Sequence, residues 1–306
     1  KMEHNVIIDS KLIEKTNERI QTQKDELLIA VISNDLSKIK QLLQQVKLKN
    51  NEDLTPLMFA AYHGKKDIVK FLIPYEAKMQ NNNGMTALMF AAENGNTEIA
   101  ELLMSHEARM QNNNGKTASM IAVENNYIEI VELLIPYEAR MQNNNGKTAL
   151  MIAMESSFNK ITKLLIPYEA KMQNNNGMTA LMFAAENGNT EIAELLMSHE
   201  ARMQNNNGKT ALMIAVENGY IEIVELLIPH EAKMKDKMKI TALDKAIKYN
   251  NIKMIKLLTP YERKNNITIT NLLTNTKNKK ENFINFVLND RKQINERLEN
   301  PCNIME

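Results

Sequence analysis

Three Gly-Lys-Thr triplets are the residues of this sequence that come nearest to a nucleotide-binding motif. They occur at Gly115–Thr117, Gly146–Thr148 and Gly208–Thr210. A phosphate-binding loop also needs a glycine five residues before the first one, so that bare backbone N–H groups can cradle the phosphate. Methionine occupies that place in every copy: Met110, Met141 and Met203. We therefore expect no nucleotide site and interpret each threonine as a helix cap.

Three His-Glu pairs, beginning at His106, His199 and His230, contain part of a zinc-protease motif. That motif needs a second histidine four residues later, where this chain has Met110, Met203 and Met234. Tyrosine takes the same repeat position at Tyr75, Tyr137, Tyr168 and Tyr261. Side chains in adjacent repeats lie roughly 10 Å apart, too far to share zinc at about 2 Å per ligand. We interpret them as a structural ladder and expect no catalytic residue, no metal and no cofactor.

A repeat of fixed length positions all of these residues. The triplet Thr-Ala-Leu or Thr-Pro-Leu recurs every 31 residues, with Ser119 replacing leucine in one copy. The copies begin at Thr55, Thr86, Thr117, Thr148, Thr179, Thr210 and Thr241. A constant period of this length indicates stacked supersecondary units.

One unit, Thr86–Lys116, predicts two helices and a tight turn. Thr86 can cap a first helix, and helical spacing puts four apolar residues on one face: Leu88, Met89, Ala91 and Ala92. Gly95 can close this helix in a left-handed conformation. The second helix carries Ile99, Leu102 and Leu103. The segment Gln-Asn-Asn-Asn-Gly then makes the connection, because asparagine and glycine tolerate turn conformations.

Stacking of these units predicts an all-α solenoid, since one unit cannot bury its apolar face alone. Divergent sequences at both ends suit caps. We divide the chain into a polar helical lead-in (1–24), an N-terminal cap (25–54), the repeats from residue 55, a degenerate C-terminal cap (270–288) and a tail (289–306).

The pattern resembles the ankyrin repeat from Thr55 to Pro260. The resemblance rests on the T-A/P-L opening, the alanine pair, the glycine between helices, the E-I-x-E-L-L second helix and the N-G before the next threonine. Three departures stand out: methionine replaces the usual histidine of T-P-L-H, glutamate replaces the glycine after the second helix, and the period is 31 against a usual 33. The missing residues fall in the finger hairpin, so we expect short fingers.

The resemblance implies a protein-binding scaffold or adaptor that uses the concave first-helix face and the fingers. The residues carried onto that surface are Phe59, Tyr62, His63, Met85, Glu93, Lys116, Glu124, Lys147, Glu155, Met178, Glu186, Lys209, Glu217 and Tyr249. Aromatic residues anchor interfaces more often than glutamate does. We therefore expect specificity at the ends, where Tyr62 and Tyr249 stand.

Composition narrows the class of partner. The formal net charge is +1 and no apolar run approaches a membrane span, so we expect protein partners, no nucleic acid and no membrane. The single cysteine, Cys302, suits a reducing compartment, and we expect a cytoplasmic monomer. The start at Lys1 motivates an alternative, the regulatory or targeting arm of a larger enzyme such as a kinase–ankyrin fusion. Pure structural spacing is a third alternative.

Repeated charges and methionines allow further predictions. We interpret glutamates such as Glu107 and Glu138, near Arg109 and Arg140, as a solvated face with weak ion pairs. The methionine series from Met79 to Met234 is predicted to be buried, whereas burial and partial exposure are equally open for the series from Met58 to Met213. The asparagine triplets could stack as a ladder along the fingers or serve solubility alone.

Two features concern individual repeats. Residues 72–118 and 165–211 are identical over 47 positions, which indicates a recent duplication of three repeats. The repeat Thr148–Met178 has Ser156-Ser157 where others have Asn-Gly. We predict a weak joint there, because a glycine that closes the first helix is missing.

Overall fold

The computed structural model describes residues 26–27, 29–45 and 54–262, and these residues form helices joined by turns, with no strand among them. The lead-in (1–24), the degenerate cap (270–288) and the tail (289–306) lie outside the described residues. The helix Leu36–Gln45 precedes the repeats. The first helices are Pro56–Tyr62, Ala87–Glu93, Ala118–Glu124, Ala149–Glu155, Ala180–Asn187, Ala211–Asn218 and Ala242–Lys248. The second helices are Lys66–Glu76, Thr97–Glu107, Ile128–Glu138, Asn159–Glu169, Thr190–Glu200, Ile221–Glu231 and Ile252–Leu258.

Threonine begins every first helix, as the sequence predicts. In each repeat the hydroxyl oxygen accepts the backbone N–H three residues later, for example that of Met89 on Thr86. Thr241 adds a reciprocal bond in which Asp244 accepts the backbone N–H of Thr241. These caps satisfy donors that a helix of seven or eight residues would otherwise leave unpaired.

Each repeat buries its apolar face against its neighbours. First helices pack on the second helix of the same repeat and on the first helices of adjacent repeats. Within the repeat from Thr86, the side chains of Leu88, Ala91, Ala92 and Leu103 are fully buried. The small alanines allow the close approach of first helices. The prediction of an all-α solenoid is confirmed.

A buried glutamate follows the apolar part of every second helix. The seven equivalents are Glu76, Glu107, Glu138, Glu169, Glu200, Glu231 and Glu262, and all are nearly inaccessible to solvent. Oε2 of Glu107 accepts the backbone N–H of Leu88 at 2.7 Å, in the first turn of its own repeat. Oε1 accepts the backbone N–H of Lys78 at 3.0 Å, in the preceding repeat. One carboxylate therefore joins two repeats.

The prediction of a solvated glutamate face with ion pairs to arginine was wrong. The Glu138 carboxylate accepts backbone N–H groups from Ser119 and Arg109, at 2.7 and 3.1 Å. Sequence proximity suggested pairing between side chains. The charge instead lies beside the unpaired N–H groups of a helix N-terminus, where a carboxylate is stabilised.

The prediction that the series from Met79 to Met234 is buried was wrong, and the series from Met58 to Met213, which the sequence left open, is the buried one. Met58, Met89, Met120, Met151, Met182 and Met213 are buried in the first helices. Met79, Met110, Met141, Met172, Met203 and Met234 are only half-buried. The first series lies three residues after the capping threonine, on the side of the first helix that packs against its neighbours.

The repeat from Thr148 has the same left-handed residue after its first helix as the other repeats, but this residue is a serine. Ser157 has φ of 58°, while the equivalent Gly188 has φ of 75°. This left-handed conformation costs roughly 1–2 kcal/mol for a residue with a Cβ. Serine is less suited to it than the asparagines at the same place in two other repeats, Asn126 and Asn250. The structure thus supplies the physical basis for the predicted weak joint.

Replacing Glu107 by alanine is expected to destabilise the array by about 2–4 kcal/mol, because the buried N–H groups of Leu88 and Lys78 lose their acceptor. Chemical denaturation of both purified proteins measures this. Glu101 is exposed on the same helix, and Glu101→Ala is expected to change the free energy of unfolding by less than about 0.5 kcal/mol. Equal effects of the two substitutions would contradict a structural role for the buried carboxylate.

Ser157→Gly is expected to stabilise the protein by about 1 kcal/mol, because glycine adopts the left-handed conformation without a steric penalty. Hydrogen exchange should show that amides of residues 148–178 are less protected than those of 179–209 in the wild type, and that the substitution narrows the difference. The matched control is Ser156→Gly, at a residue with φ of −85°, which should not stabilise. Equal protection of the two wild-type repeats would rule out a weak joint.

The pH dependence of the first repeat is expected to depend on Glu76. Among the described residues Oε1 of Glu76 has no hydrogen-bond partner, and burial raises the pKa of this carboxyl from 4.5 to about 7. The folded state therefore binds the proton more tightly than the unfolded state. The resulting stability is full below about pH 4.5 and is lost as the pH rises through about 7, by up to roughly 3 kcal/mol. Denaturation across this range should show a smaller loss in Glu76→Gln than in the wild type, and not its absence, because burial also raises the pKa of other glutamates: Glu107, Glu169, Glu200 and Glu231.

Candidate protein-binding site

Each finger is a single tight turn. In the first complete finger, the N–H of Gly84 donates to the carbonyl of Asn81 at 2.8 Å. Oδ1 of Asn81 also accepts the N–H groups of Asn83 and Met85, at 3.0 and 2.9 Å. The prediction of short fingers is confirmed, and the first asparagine of each triplet holds the turn closed.

Neighbouring fingers are joined by a continuous ladder. The N–H of Asn113 donates to the carbonyl of Asn83 at 3.0 Å, and the side-chain amide of Asn113 donates to the carbonyl of Asn82 at 2.7 Å. A Cβ on Gly84 would lie 2.7 Å from the backbone nitrogen of Asn113, so the next finger requires glycine there. The asparagines therefore have a structural role in a ladder, whatever they add to solubility.

The fingers and the first helices together form one surface, which we call the first-helix face. Three lysines that precede a capping threonine form ion pairs with the glutamate that ends the same first helix. The pairs are Lys116–Glu124 at 2.7 Å, Lys147–Glu155 at 2.6 Å and Lys209–Glu217 at 2.8 Å. The lysines of the three Gly-Lys-Thr triplets are thus occupied by carboxylates of this chain.

Two repeats replace this lysine with methionine. Met85 and Met178 are half-buried, and each accepts a hydrogen bond at sulfur from the side-chain amide of a finger asparagine, at 3.5 and 3.4 Å. The glutamates of these repeats, Glu93 and Glu186, are exposed. Among the described residues, neither glutamate forms an ion pair. Of the five equivalent glutamates on this face, three are therefore neutralised by a lysine, and Glu93 and Glu186 have no ion pair among the described residues.

A cavity lies on the first-helix face at each of these methionines. The Met85 cavity, of about 460 Å³, is lined by Asn81, Asn83, Met85, Phe90, Glu93, Asn112, Asn113 and Asn114. The Met178 cavity, of about 550 Å³, is lined by Lys147, Glu155, Asn174, Asn176, Met178, Phe183, Glu186, Asn205, Asn206 and Asn207.

The two cavities are copies of one another. Every residue of the Met85 cavity has its equivalent in the Met178 cavity at an offset of 93 residues, which is three repeats. They differ on one side. Lys147 and Glu155 border the Met178 cavity, whereas the same offset places Leu54 and Tyr62 beside the Met85 cavity.

Aromatic side chains cluster at the N-terminal end of the first-helix face. The ring of His63 lies 4.3 Å from that of Phe59 and 5.2 Å from that of Tyr62, centroid to centroid. Tyr62 also meets Phe90 edge to face at 6.4 Å. Since Phe90 lines the Met85 cavity, the aromatic cluster and this cavity are continuous.

An ionic network closes the C-terminal end of the face. Nζ of Lys245 is buried and lies 2.8 Å from Glu217 and 3.3 Å from Asp236. Desolvation acts to raise the pKa of Glu217, but hydrogen bonds and charge from Lys209 and Lys245 outweigh it and hold the pKa below its ordinary value. Glu217 therefore stays ionised and fully paired.

The predicted site residues fall into separate groups. Phe59, Tyr62 and His63 join the aromatic cluster, and the two methionine–glutamate pairs each form a cavity. Tyr249 is exposed six repeats beyond Tyr62, beside the ammonium of Lys248 at 5.7 Å. The two ends are therefore not brought together.

Sequence reasoning missed Phe90 and Phe183, which line the cavities. A signal was present, because phenylalanine follows methionine by five residues in the two copied repeats, whereas isoleucine follows lysine at that spacing in three others. Neither residue stood out alone, since a phenylalanine in a first helix is expected in the core.

The motifs with apparent chemistry have structural places. Thr117, Thr148 and Thr210 cap first helices. His106, His199 and His230 are exposed on second helices. Within residues 26–27, 29–45 and 54–262, no three histidine, cysteine or acidic side chains are grouped to hold a metal ion. No helix in that part of the chain is long and apolar enough to cross a membrane.

Comparison with known families agrees with this geometry. A family model for ankyrin repeats, built on three copies, matches residues 27–114, 103–175, 119–207, 157–238 and 199–271. The chain belongs to the ankyrin repeat family. This family forms protein–protein interaction modules.

A solved ankyrin domain has the same fold. The crystal structure of the ankyrin repeat domain of Bcl-3, described as a unique member of the IkappaB protein family, matches with a TM-score of 0.61 and 22% sequence identity. The match covers 67% of this chain and 100% of that chain. At this identity the likeness concerns the fold alone. No curated protein sequence matches this ankyrin chain significantly.

Proposed function

We propose that this ankyrin chain is a non-catalytic scaffold or adaptor that binds partner proteins through its first-helix face and short fingers. The observation that carries the proposal is the arrangement of that face. It combines an exposed aromatic cluster with two cavities, while the second helices present mainly single exposed side chains. Exposed aromatic groups beside a cavity are typical anchors of protein interfaces.

The rigidity of the face supports this proposal. Backbone and side-chain hydrogen bonds join every finger from Asn83 to Lys237, and buried glutamates tie successive repeats. A preformed surface loses little conformational freedom on association. The short fingers offer little reach, so the partner would lie against the first helices.

A cytoplasmic monomer is the form in which we propose that it acts. The single cysteine leaves no internal disulfide to form, which suits a reducing compartment. The formal net charge of +1 supports a protein partner over nucleic acid, because phosphate-backbone binding relies on a strongly basic surface.

Affinity capture with matched tyrosine variants tests the proposal. Tyr62 lies on the first-helix face and Tyr137 on a second helix, with similar exposed fractions of 38% and 42%. From lysate of the native cell, Tyr62→Ala is expected to retain partners at least about tenfold less well than wild type. Tyr137→Ala should retain them fully. Tyr249→Ala tests the other end separately.

Two outcomes would contradict parts of the proposal. Absence of any enriched partner on the wild-type chain would exclude the adaptor function. An unchanged partner list for Tyr62→Ala and Tyr249→Ala would exclude these tyrosines as anchors, and equal losses for Tyr62→Ala and Tyr137→Ala would place binding elsewhere than the first-helix face.

A further inference from the structure

The open carboxylates of Glu93 and Glu186 distinguish two repeats from the rest of the first-helix face. Glu124 and Glu155 each have as partner the lysine just before the capping threonine of their first helix, and Glu217 has two lysines. In the two copied repeats that lysine is methionine, so the cation that would complete the pattern is missing. Each carboxylate borders a cavity instead.

The contents of each cavity suit one kind of side chain. Methionine and phenylalanine offer an apolar surface, finger asparagines form the opposite wall, and one carboxylate provides negative charge. In the Met178 cavity, Lys147 and Glu155 neutralise each other, so Glu186 leaves a formal charge of −1 there as well. Arginine and lysine have an apolar stem and a cationic end, which match these two parts.

We propose that the Met85 and Met178 cavities are twin anchor sites for two basic side chains of one extended segment of a partner protein. This inference rests on the proposed function and specifies the chemistry of the partner. The stem of each arginine or lysine lies against methionine and phenylalanine, and its cation pairs with Glu93 or Glu186. The partner thereby supplies the charge that lysine supplies in the other repeats.

The repeat geometry sets the distance between the two basic residues. Three repeats at roughly 8–10 Å each separate the cavities by about 24–30 Å. An extended chain advances about 3.3 Å per residue. The two basic residues are therefore expected about seven to nine positions apart in the partner.

Charge complementarity argues against an acidic segment. The three lysines of the face that border first helices are held at 2.6–2.8 Å by glutamates of this chain. An acidic side chain in either cavity would approach an unpaired carboxylate and displace solvent from it, which is unfavourable.

Synthetic peptides test the inference on the full chain. The probe is a fluorescent Gly/Ser peptide with two arginines eight positions apart, and binding is followed by anisotropy at low and physiological salt. Citrulline has nearly the shape of arginine without the charge, so a peptide with two citrullines is expected to bind at least about tenfold more weakly. A peptide with arginines three positions apart should lose the advantage of two linked sites.

Lysine at the two methionine positions, as three other repeats have it, can close the cavities. Met85→Lys and Met178→Lys recreate the lysine–glutamate pair of the other repeats, so the fold should tolerate them. Each substitution is expected to weaken the two-arginine peptide about tenfold or more, and the double variant to abolish its preference over the citrulline peptide. Thermal unfolding should be unchanged, which separates loss of binding from loss of structure.

Two lysine-to-methionine substitutions form a matched pair of variants. Lys116→Met removes the one ion-pair partner that Glu124 has among the described residues and should open a third carboxylate, strengthening binding of a two-arginine peptide severalfold. Lys209→Met should have no such effect, because Lys245 still holds Glu217 at 2.8 Å. A purely local effect of methionine on the face would make the two variants behave alike.

Several results would overturn the inference. These are equal binding of arginine and citrulline peptides, undiminished binding to the double Met→Lys variant, or tighter binding of a peptide with two glutamates. The capture experiment distinguishes this failure from that of the proposed function. Partners lost from Tyr62→Ala but fully retained by Met85→Lys/Met178→Lys would leave the adaptor function standing and exclude basic anchors.

Discussion

The rest of the structure depends on one buried carboxylate in each repeat. In the middle of the array, Glu107 accepts one N–H from the first helix of its own repeat and another from the turn of the preceding repeat. The same pair of bonds recurs at Glu138, Glu169, Glu200 and Glu231. Burial raises the pKa of Glu107, and the backbone N–H groups of Leu88 and Lys78 oppose this shift. Breaking one such contact therefore loosens two repeats together.

This carboxylate also stabilises a strained turn that follows the second helix. The residue two positions after each glutamate adopts a left-handed conformation, with φ of 72° at Lys78 and 74° at Arg109. A residue with a Cβ is strained there by roughly 1–2 kcal/mol. Its N–H, however, donates to the glutamate of the next repeat, and a hydrogen bond to a charged acceptor contributes a similar amount. The interface between repeats thus maintains the turn.

Sequence reasoning could predict the helices because their signals are local. The capping threonine and the closing glycine act within a few residues of where they stand, and the 31-residue period repeats them. The Glu107 ladder could not be predicted in this way, because its partners lie 19 and 29 residues away. Nearby Arg109 offered a plausible but wrong partner. The series from Met79 to Met234 was wrongly predicted to be buried for a related reason, since the composition of a segment does not reveal which side chains meet the next repeat.

The candidate site was predicted only in part, for the same physical reason. Family resemblance assigned Met85 and Glu93 to the first-helix face, but the cavity that they share with Phe90 follows from the three-dimensional packing of the first helix against the fingers. The charge balance of the first-helix face was not predicted from the sequence either. Whether a glutamate of this face is paired depends on the residue eight positions earlier in the sequence, which is lysine in three repeats and methionine in two.

Copied residues, such as the 47 shared by 72–118 and 165–211, cannot be read as independently selected. In the structure, however, the copying has a geometric consequence. A solenoid converts an offset in sequence into a fixed displacement in space, so duplicating three repeats placed a second Met–Phe–Glu cavity at a set distance from the first. Two weak sites at a fixed spacing bind a segment that spans both far more tightly than either alone. The intervening Lys116–Glu124 and Lys147–Glu155 pairs keep the surface between them neutral. The duplication therefore sets the distance between two equivalent cavities, a property that a single repeat cannot have.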